Sequence, residues 1–127
     1  MKRGLLLFAH GARDPEWATP AKQIQSAIQA ALPDVRVELA FLEFISPSLD
    51  ESMAALIGDG VLNITLLPLF IAPGGHLKHD LPLMLGRLKQ KYPTLQIALE
   101  PTVGELPAVR DAITRHVLSA LSSQSTR

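Results

Sequence analysis

A chain of 127 residues is the size of one ordinary domain, and a hydrophobic content of 47% suffices for a real core. Twelve Lys and Arg balance twelve Asp and Glu, so the cation excess that neutralises phosphates in nucleic-acid binders is missing. The absence of cysteine excludes disulfides, thiolate metal sites and cysteine nucleophiles, and fits a cytoplasmic protein.

The first element is a short apolar run, residues 5–9, behind Lys2 and Arg3. It is too short for the hydrophobic region of a signal peptide, and no stretch approaches the length of a membrane span. A strand buried on both faces is the reading. Residues 18–32 follow as a helix, with Ile24, Ala27, Ile28, Ala31 and Leu32 on one face and Pro33-Asp34 as the stop. Val35, Val37, Leu39 and Phe41 alternate with period two, a second strand. Ser46-Pro47 resembles an N-cap followed by proline in the first helical position, and Ser48 with Glu51 fits a capping box. Leu49, Met53, Leu56 and Ile57 form the stripe of that helix, which Gly58 and Gly60 end.

Residues 61–70 read as a third strand, with Pro68 removing a ladder donor near its end and Pro73-Gly74-Gly75 turning it into a loop. A third helix is expected over 80–91, with Pro82 in its first turn and Leu81, Met84, Leu85 and Leu88 inward. A fourth strand at 95–99 and a fourth helix at 107–121 complete the pattern, with 122–127 as a frayed tail. Strands alternating with helices imply one α/β domain over residues 1–127, a flavodoxin-like three-layer sandwich on a four-stranded parallel sheet. Strand order 2-1-3-4 is expected, and ligands in such sheets bind at the carboxyl ends of the strands.

Three residues able to hold a metal fall at that edge. His10 ends the first strand, Glu43 ends the second, and His76 lies in the loop leaving the third. Two imidazoles and a carboxylate suit a divalent transition ion, and the same groups accept protons near neutral pH. Each residue also has a plainer reading: a histidine that only hydrogen-bonds at a strand end, a glutamate that only decorates a loop. Gly11, Gly74 and Gly75 beside the histidines let backbone approach something closely, or simply form turns. His76 and His79 form an HxxH pair with no third local ligand, and His116 belongs to the fourth helix. No GxGxxG follows the first strand and no GxxxxGK[ST] occurs, which sets aside dinucleotide binding and ATP hydrolysis. A histidine phosphatase would carry arginine before its catalytic histidine; Ala9 precedes His10.

Three blocks resemble a known family. Leu5-Leu6-Leu7-Phe8-Ala9-His10-Gly11-Ala12-Arg13-Asp14 is similar to the opening strand and HGSRD-like turn of the small CbiX/SirB sirohydrochlorin chelatases, with Ala12 in place of the usual serine. Phe41-Leu42-Glu43-Phe44 and Ser46-Pro47-Ser48-Leu49 match the family's second strand and helix. Residues 68–82, with Gly74-Gly75-His76 and Asp80-Leu81-Pro82, match its third block. The resemblance implies ATP-independent insertion of cobalt or iron, as a substrate and not a resident cofactor, into the tetrapyrrole sirohydrochlorin for cobalamin or sirohaem synthesis. A non-catalytic metal- or tetrapyrrole-binding protein of the same fold is the alternative. The family's metal-binding and catalytic histidines fall on His10 and His76, and its acidic residue on Glu43. For a carboxylate-rich substrate, Arg13, Lys78 and the backbone at Ile71, Ala72, Pro73, Gly74 and Gly75 become the binding candidates. Single-domain members of the family act as homodimers, each chain resembling half of a two-domain relative; neither nucleic acid nor membrane is an expected partner.

Overall fold

The computed structural model describes residues 2–72 and 74–125, the side chains of His76, Gln124 and Ser125 excepted. Pro73, one of the substrate-binding candidates, thus lies outside the described residues. Four strands, β1 (Arg3–Ala9), β2 (Val35–Phe41), β3 (Asn63–Pro68) and β4 (Gln96–Leu99), form one sheet in the order β2-β1-β3-β4. All three pairings are parallel. The expected order is therefore the observed one, and β1 lies at its centre. A central strand in a parallel sheet must be apolar on both faces, and Leu6, Leu7 and Phe8 are fully buried.

The two faces take different helices. Leu6 and Phe8 face the same way as Ile64 and Leu66, and pack with α2 (Leu49–Gly58) and α3 (Gly75–Lys91). Leu5, Leu7 and Ala9 face the opposite way and pack with Val35, Val37, Leu39 and Phe41 and with Ala21 and Ile28 of α1 (Thr19–Ala31). A 3-10 helix at Pro15–Ala18 precedes α1, and another at Val103–Glu105 precedes α4 (Pro107–Ser125). Among the described residues no helix is long and apolar enough to cross a membrane.

Several boundaries differ from the sequence reading. Ser48, not Ser46, caps α2, because the loop 42–47 folds back along the end of β2 and Phe41 N–H bonds to Pro47 O at 2.9 Å. The capping box is complete: Ser48 Oγ accepts from Glu51 N–H and Glu51 accepts from Ser48 N–H. Replacing Ser48 by alanine orphans the Glu51 N–H, and urea unfolding is expected to show a loss of about 1 kcal/mol. Strand β3 is shorter than 61–70, running from Asn63 to Pro68, and Leu69 N–H still bonds to Phe8 O at 2.7 Å just beyond it.

Helix α3 starts at Gly75, five residues before Asp80, so Pro82 lies inside it and not in its first turn. Leu77 is the reason. Its side chain is buried with those of Leu81, Leu85 and Leu88, extending the apolar stripe one turn toward the N-terminus. His76 is consequently the second residue of a helix, where a loop was expected. Helix α4 runs to Ser125, past the expected end at 121.

Candidate active site at the carboxyl edge of the sheet

His10 is the first residue beyond β1, so its direction is set by the most buried strand of the sheet. Two parallel backbone bonds tie this end to the segment after β2. Leu42 N–H donates to Ala9 O at 2.8 Å, and Glu43 N–H donates to His10 O at 3.1 Å. Gly11 allows the approach: its φ is +86°, and a Cβ there would stand 2.0 Å from the carbonyl oxygen of Glu43. A glycine is therefore required at this turn by backbone conformation and by space together. Glu43 itself lies past the end of β2, in a bend, so it does not end the strand as expected and strand parity does not orient it. It is held next to His10 by the backbone instead.

The imidazole of His10 is exposed, and its ring rests edge-on against Phe70, with centroids 4.7 Å apart and planes at 67°. Phe70 is buried and makes a second edge contact with Phe8, at 5.9 Å. This pair of contacts at the end of β3 positions the histidine ring. The segment after Phe70 is fixed in turn by Gly104, whose N–H donates to Phe70 O at 3.2 Å and whose Cβ, if present, would fall 1.6 Å from Ile71 O.

The third predicted ligand arrives on a different element. His76 occupies the first turn of α3, where Gly74 is the N-cap and contributes no side-chain cap. Lys78, one turn in, is exposed and its N–H bonds back to Gly74 O at 3.0 Å. Backbone topology thus brings the chain at His10, Glu43, Phe70 and the first turn of α3 to one edge of the sheet. Among the described residues no three His, Cys, Asp or Glu side chains converge on one point, and the side chain of His76 is outside that set. His79 sits one turn further along α3 and His116 on α4; both are exposed.

Of the substrate-binding candidates, Ile71, Ala72, Gly74, Gly75 and Lys78 are all exposed along the same edge. Arg13 is exposed as well, and its guanidinium lies over the ring of Phe44 at 5.0 Å. Phe44 was not singled out from the sequence. It has φ of +70° and is 58% exposed, two unfavourable properties for an aromatic residue in one position. Trp17, also missed, is 75% exposed. It borders an apolar groove of about 420 Å³ that runs from His10 between Ile24, Phe41, Leu69 and Val109. The signals were present in the sequence: aromatic residues one position from Glu43 and four from Arg13, in segments that form no strand.

A doubly wound parallel sheet that gathers a histidine, a glutamate-bearing bend and a helix N-terminus at its carboxyl edge belongs to the ligand-binding α/β class. Its family follows from comparison: the CbiX family model matches residues 4–120, and the chain belongs to the CbiX family. It is 39% identical over 83 residues to a sirohydrochlorin cobaltochelatase of Saccharolobus islandicus, an alignment covering 65% of this chain and 63% of that protein. The chain thus spans less than two thirds of the length of this curated relative. Its fold superposes on the crystal structure of a putative cobalamin biosynthesis CbiX protein of Marinobacter aquaeolei with TM-score 0.84 and 30% identity, covering 95% of this chain and 98% of the other. It also superposes on the sirohydrochlorin chelatase SirB of Bacillus subtilis subspecies spizizenii, solved in complex with cobalt, with TM-score 0.79 and 25% identity. That match covers 94% of this chain and 51% of SirB, so this fold corresponds to half of the larger protein.

Proposed function

We propose that the protein is an ATP-independent metal chelatase that inserts cobalt or iron into sirohydrochlorin, a step of cobalamin or sirohaem synthesis in the cytoplasm. The observation that carries this reading is the backbone lock between His10 and Glu43, which holds an imidazole and a carboxylate-bearing residue together at the carboxyl edge beside an apolar groove. The divalent ion is a substrate, and no resident cofactor is needed. Insertion replaces two pyrrolic protons by one dication, so the site must offer ligands and also accept protons. In this reading His10, Glu43 and His76 are the metal ligands and the catalytic set, and His10 takes a proton as the metal leaves it for the ring.

The groove between Trp17, Ile24 and Leu69 offers apolar surface to the face of a macrocycle. The carboxylates of sirohydrochlorin meet Arg13, Lys78 and the backbone N–H groups at the start of α3, which have no helical acceptor of their own. Ile71, Ala72, Gly74 and Gly75 form the bordering segment. Gly74 and Gly75 support this assignment. Neither has a positive φ, and a Cβ at either would meet no other atom within 4 Å, so the fold does not demand glycine there. Room for a molecule from outside the chain explains both. The protein acts as a homodimer, the second copy standing where SirB continues as one longer chain.

Two measurements test the reading. Anaerobic insertion into sirohydrochlorin, followed by absorbance with cobalt and iron supplied separately, is expected to proceed far above the uncatalysed rate. Metal binding without accelerated insertion would refute catalysis and leave a carrier. In the second, Gly75→Ala is expected to keep or raise the melting temperature, since alanine favours a helix by up to about 1 kcal/mol over glycine. The same variant is expected to slow insertion; wild-type turnover would remove the 71–75 segment from the substrate site.

A further inference from the structure

The exposed ring of Phe44 is held out by a strained backbone. Ile45 N–H donates to Glu43 O at 2.9 Å, which closes a three-residue γ-turn with Phe44 at its centre. With φ at +70° this is the rare form of that turn, and the position suits glycine or asparagine better than an aromatic residue. The ring belongs to neither core cluster and does not line the groove beside His10. It carries the Arg13 guanidinium at 5.0 Å. A cation–π contact in water returns less than such strain costs, so stability of the fold does not account for an aromatic residue here.

The state of Arg13 supplies the other half of the argument. Arg36, at the opposite end of the sheet, is spent on ion pairs with Glu38 and Asp59. Arg13 has no carboxylate within ion-pair distance among the described residues and donates no hydrogen bond there. Its neighbour Asp14 is committed elsewhere, accepting from Glu16 N–H at 3.0 Å as the cap of the 3-10 helix Pro15–Ala18. A guanidinium resting on a ring is held by its charge and its face, and its N–H donors stay open. A guanidinium held by a carboxylate has those donors occupied. Arg13 follows His10 by three residues and Phe44 follows Glu43 directly. The pair therefore bridges the same two loops that the Glu43 N–H to His10 O bond joins.

We propose that Phe44 is a positioning residue for substrate recognition: its ring, held out by the strained turn, aims the Arg13 guanidinium at a carboxylate on the rim of the tetrapyrrole. The inference rests on the chelatase reading above, in which Arg13 meets a substrate carboxylate, and adds the residue that presents it. A freely rotating arginine loses rotamer freedom when it binds. One already resting on a ring loses less, and that difference is the affinity Phe44 contributes. The contact to a rim carboxylate is the same before and after the metal enters the macrocycle, so it acts on binding and not on the chemical step.

Titration with metal-free sirohydrochlorin, steady-state insertion and thermal unfolding test this on wild type, Phe44→Asn, Phe44→Tyr, Arg13→Ala and Phe44→Asn/Arg13→Ala. Phe44→Asn is expected to raise Kd roughly 3–10-fold with kcat within about twofold of wild type. Its melting temperature is expected at or above wild type, because asparagine tolerates positive φ. Phe44→Tyr keeps the ring and is expected to keep the wild-type Kd. Arg13→Ala is expected to raise Kd about tenfold, and adding Phe44→Asn to it to change Kd by less than about twofold, since the two residues act as one unit. Full additivity overturns the proposal, because the ring then serves binding without Arg13. An unchanged Kd in Phe44→Asn overturns it, and so does a fall in kcat alone, which would place the residue's effect on Glu43. A melting temperature lower by more than about 5 °C makes the ring a support of the fold and overturns it as well. A wild type that binds sirohydrochlorin without inserting metal refutes the chelatase reading alone, since the Kd comparison is made without metal. A wild type that does not bind sirohydrochlorin removes both.

Discussion

His10→Ala is expected to fold like the wild type and to lose metal insertion by roughly 10²–10⁴-fold, the range for removing a positioned proton-transfer group. The two halves of this expectation have separate causes. The imidazole is exposed and outside both core clusters, so truncation opens no cavity. What is lost for stability is the edge contact with Phe70, about 0.5–1 kcal/mol for an aromatic pair. The backbone bonds from Leu42 and Glu43 to residues 9 and 10 use carbonyl groups and survive the substitution. His76→Ala is expected to share the loss of activity, and Lys89→Ala, in the last turn of α3, to share neither effect. Thermal unfolding and anaerobic cobalt and iron insertion on the four proteins decide the matter. Wild-type insertion rates in both histidine variants would end the catalytic assignment even with the fold unchanged.

Gly11→Ala is expected to be the most damaging small substitution at this edge. The residue holds φ at +86°, which costs an alanine about 1–2 kcal/mol. The new Cβ would also stand 2.0 Å from Glu43 O, a backbone atom that cannot rotate away. Either the turn opens or the 42–47 bend moves, and both routes break the Glu43 N–H to His10 O bond. A loss of about 2–4 kcal/mol follows, and at roughly 3–5 °C per kcal/mol for a domain of this size the melting temperature falls by about 10 °C. Insertion is expected to fall as well, because the same lock holds Glu43 beside His10. A melting temperature within experimental error of wild type would show that the lock is not needed. Gly75→Ala is the internal contrast, with a similar chemical change and open space in place of a carbonyl oxygen.

The buried strands were legible because burial on both faces leaves little choice of residue. Leu5 to Ala9 cannot be read as anything solvent-exposed, and the alternation over Val35–Phe41 fixes which side meets α1. Order β2-β1-β3-β4 was expected as the common choice for a flavodoxin-like sheet, and the structure has it. That order sufficed to place His10, Glu43 and the start of α3 at one edge. The start of α3 was not legible, because Pro82 and the Gly74-Gly75 pair signal a break locally while Leu77 finds its burial only against the sheet. Glu43 was placed at the right edge for an incomplete reason: the strand it was expected to end stops at Phe41, and a bond to His10, 33 residues earlier, takes over.

By itself the sequence determined the strand-helix rhythm, the central apolar strand, the balanced charge and the residue types available for metal chemistry, since these depend on composition and local period. Tertiary structure alone decided the rest. It set Phe70 under the imidazole of His10, put Glu43 O where only glycine fits opposite, and stacked Arg13 on a strained Phe44. These features join residues far apart in the chain, and their energies come from close approach, which no local pattern of hydrophobic and polar residues encodes.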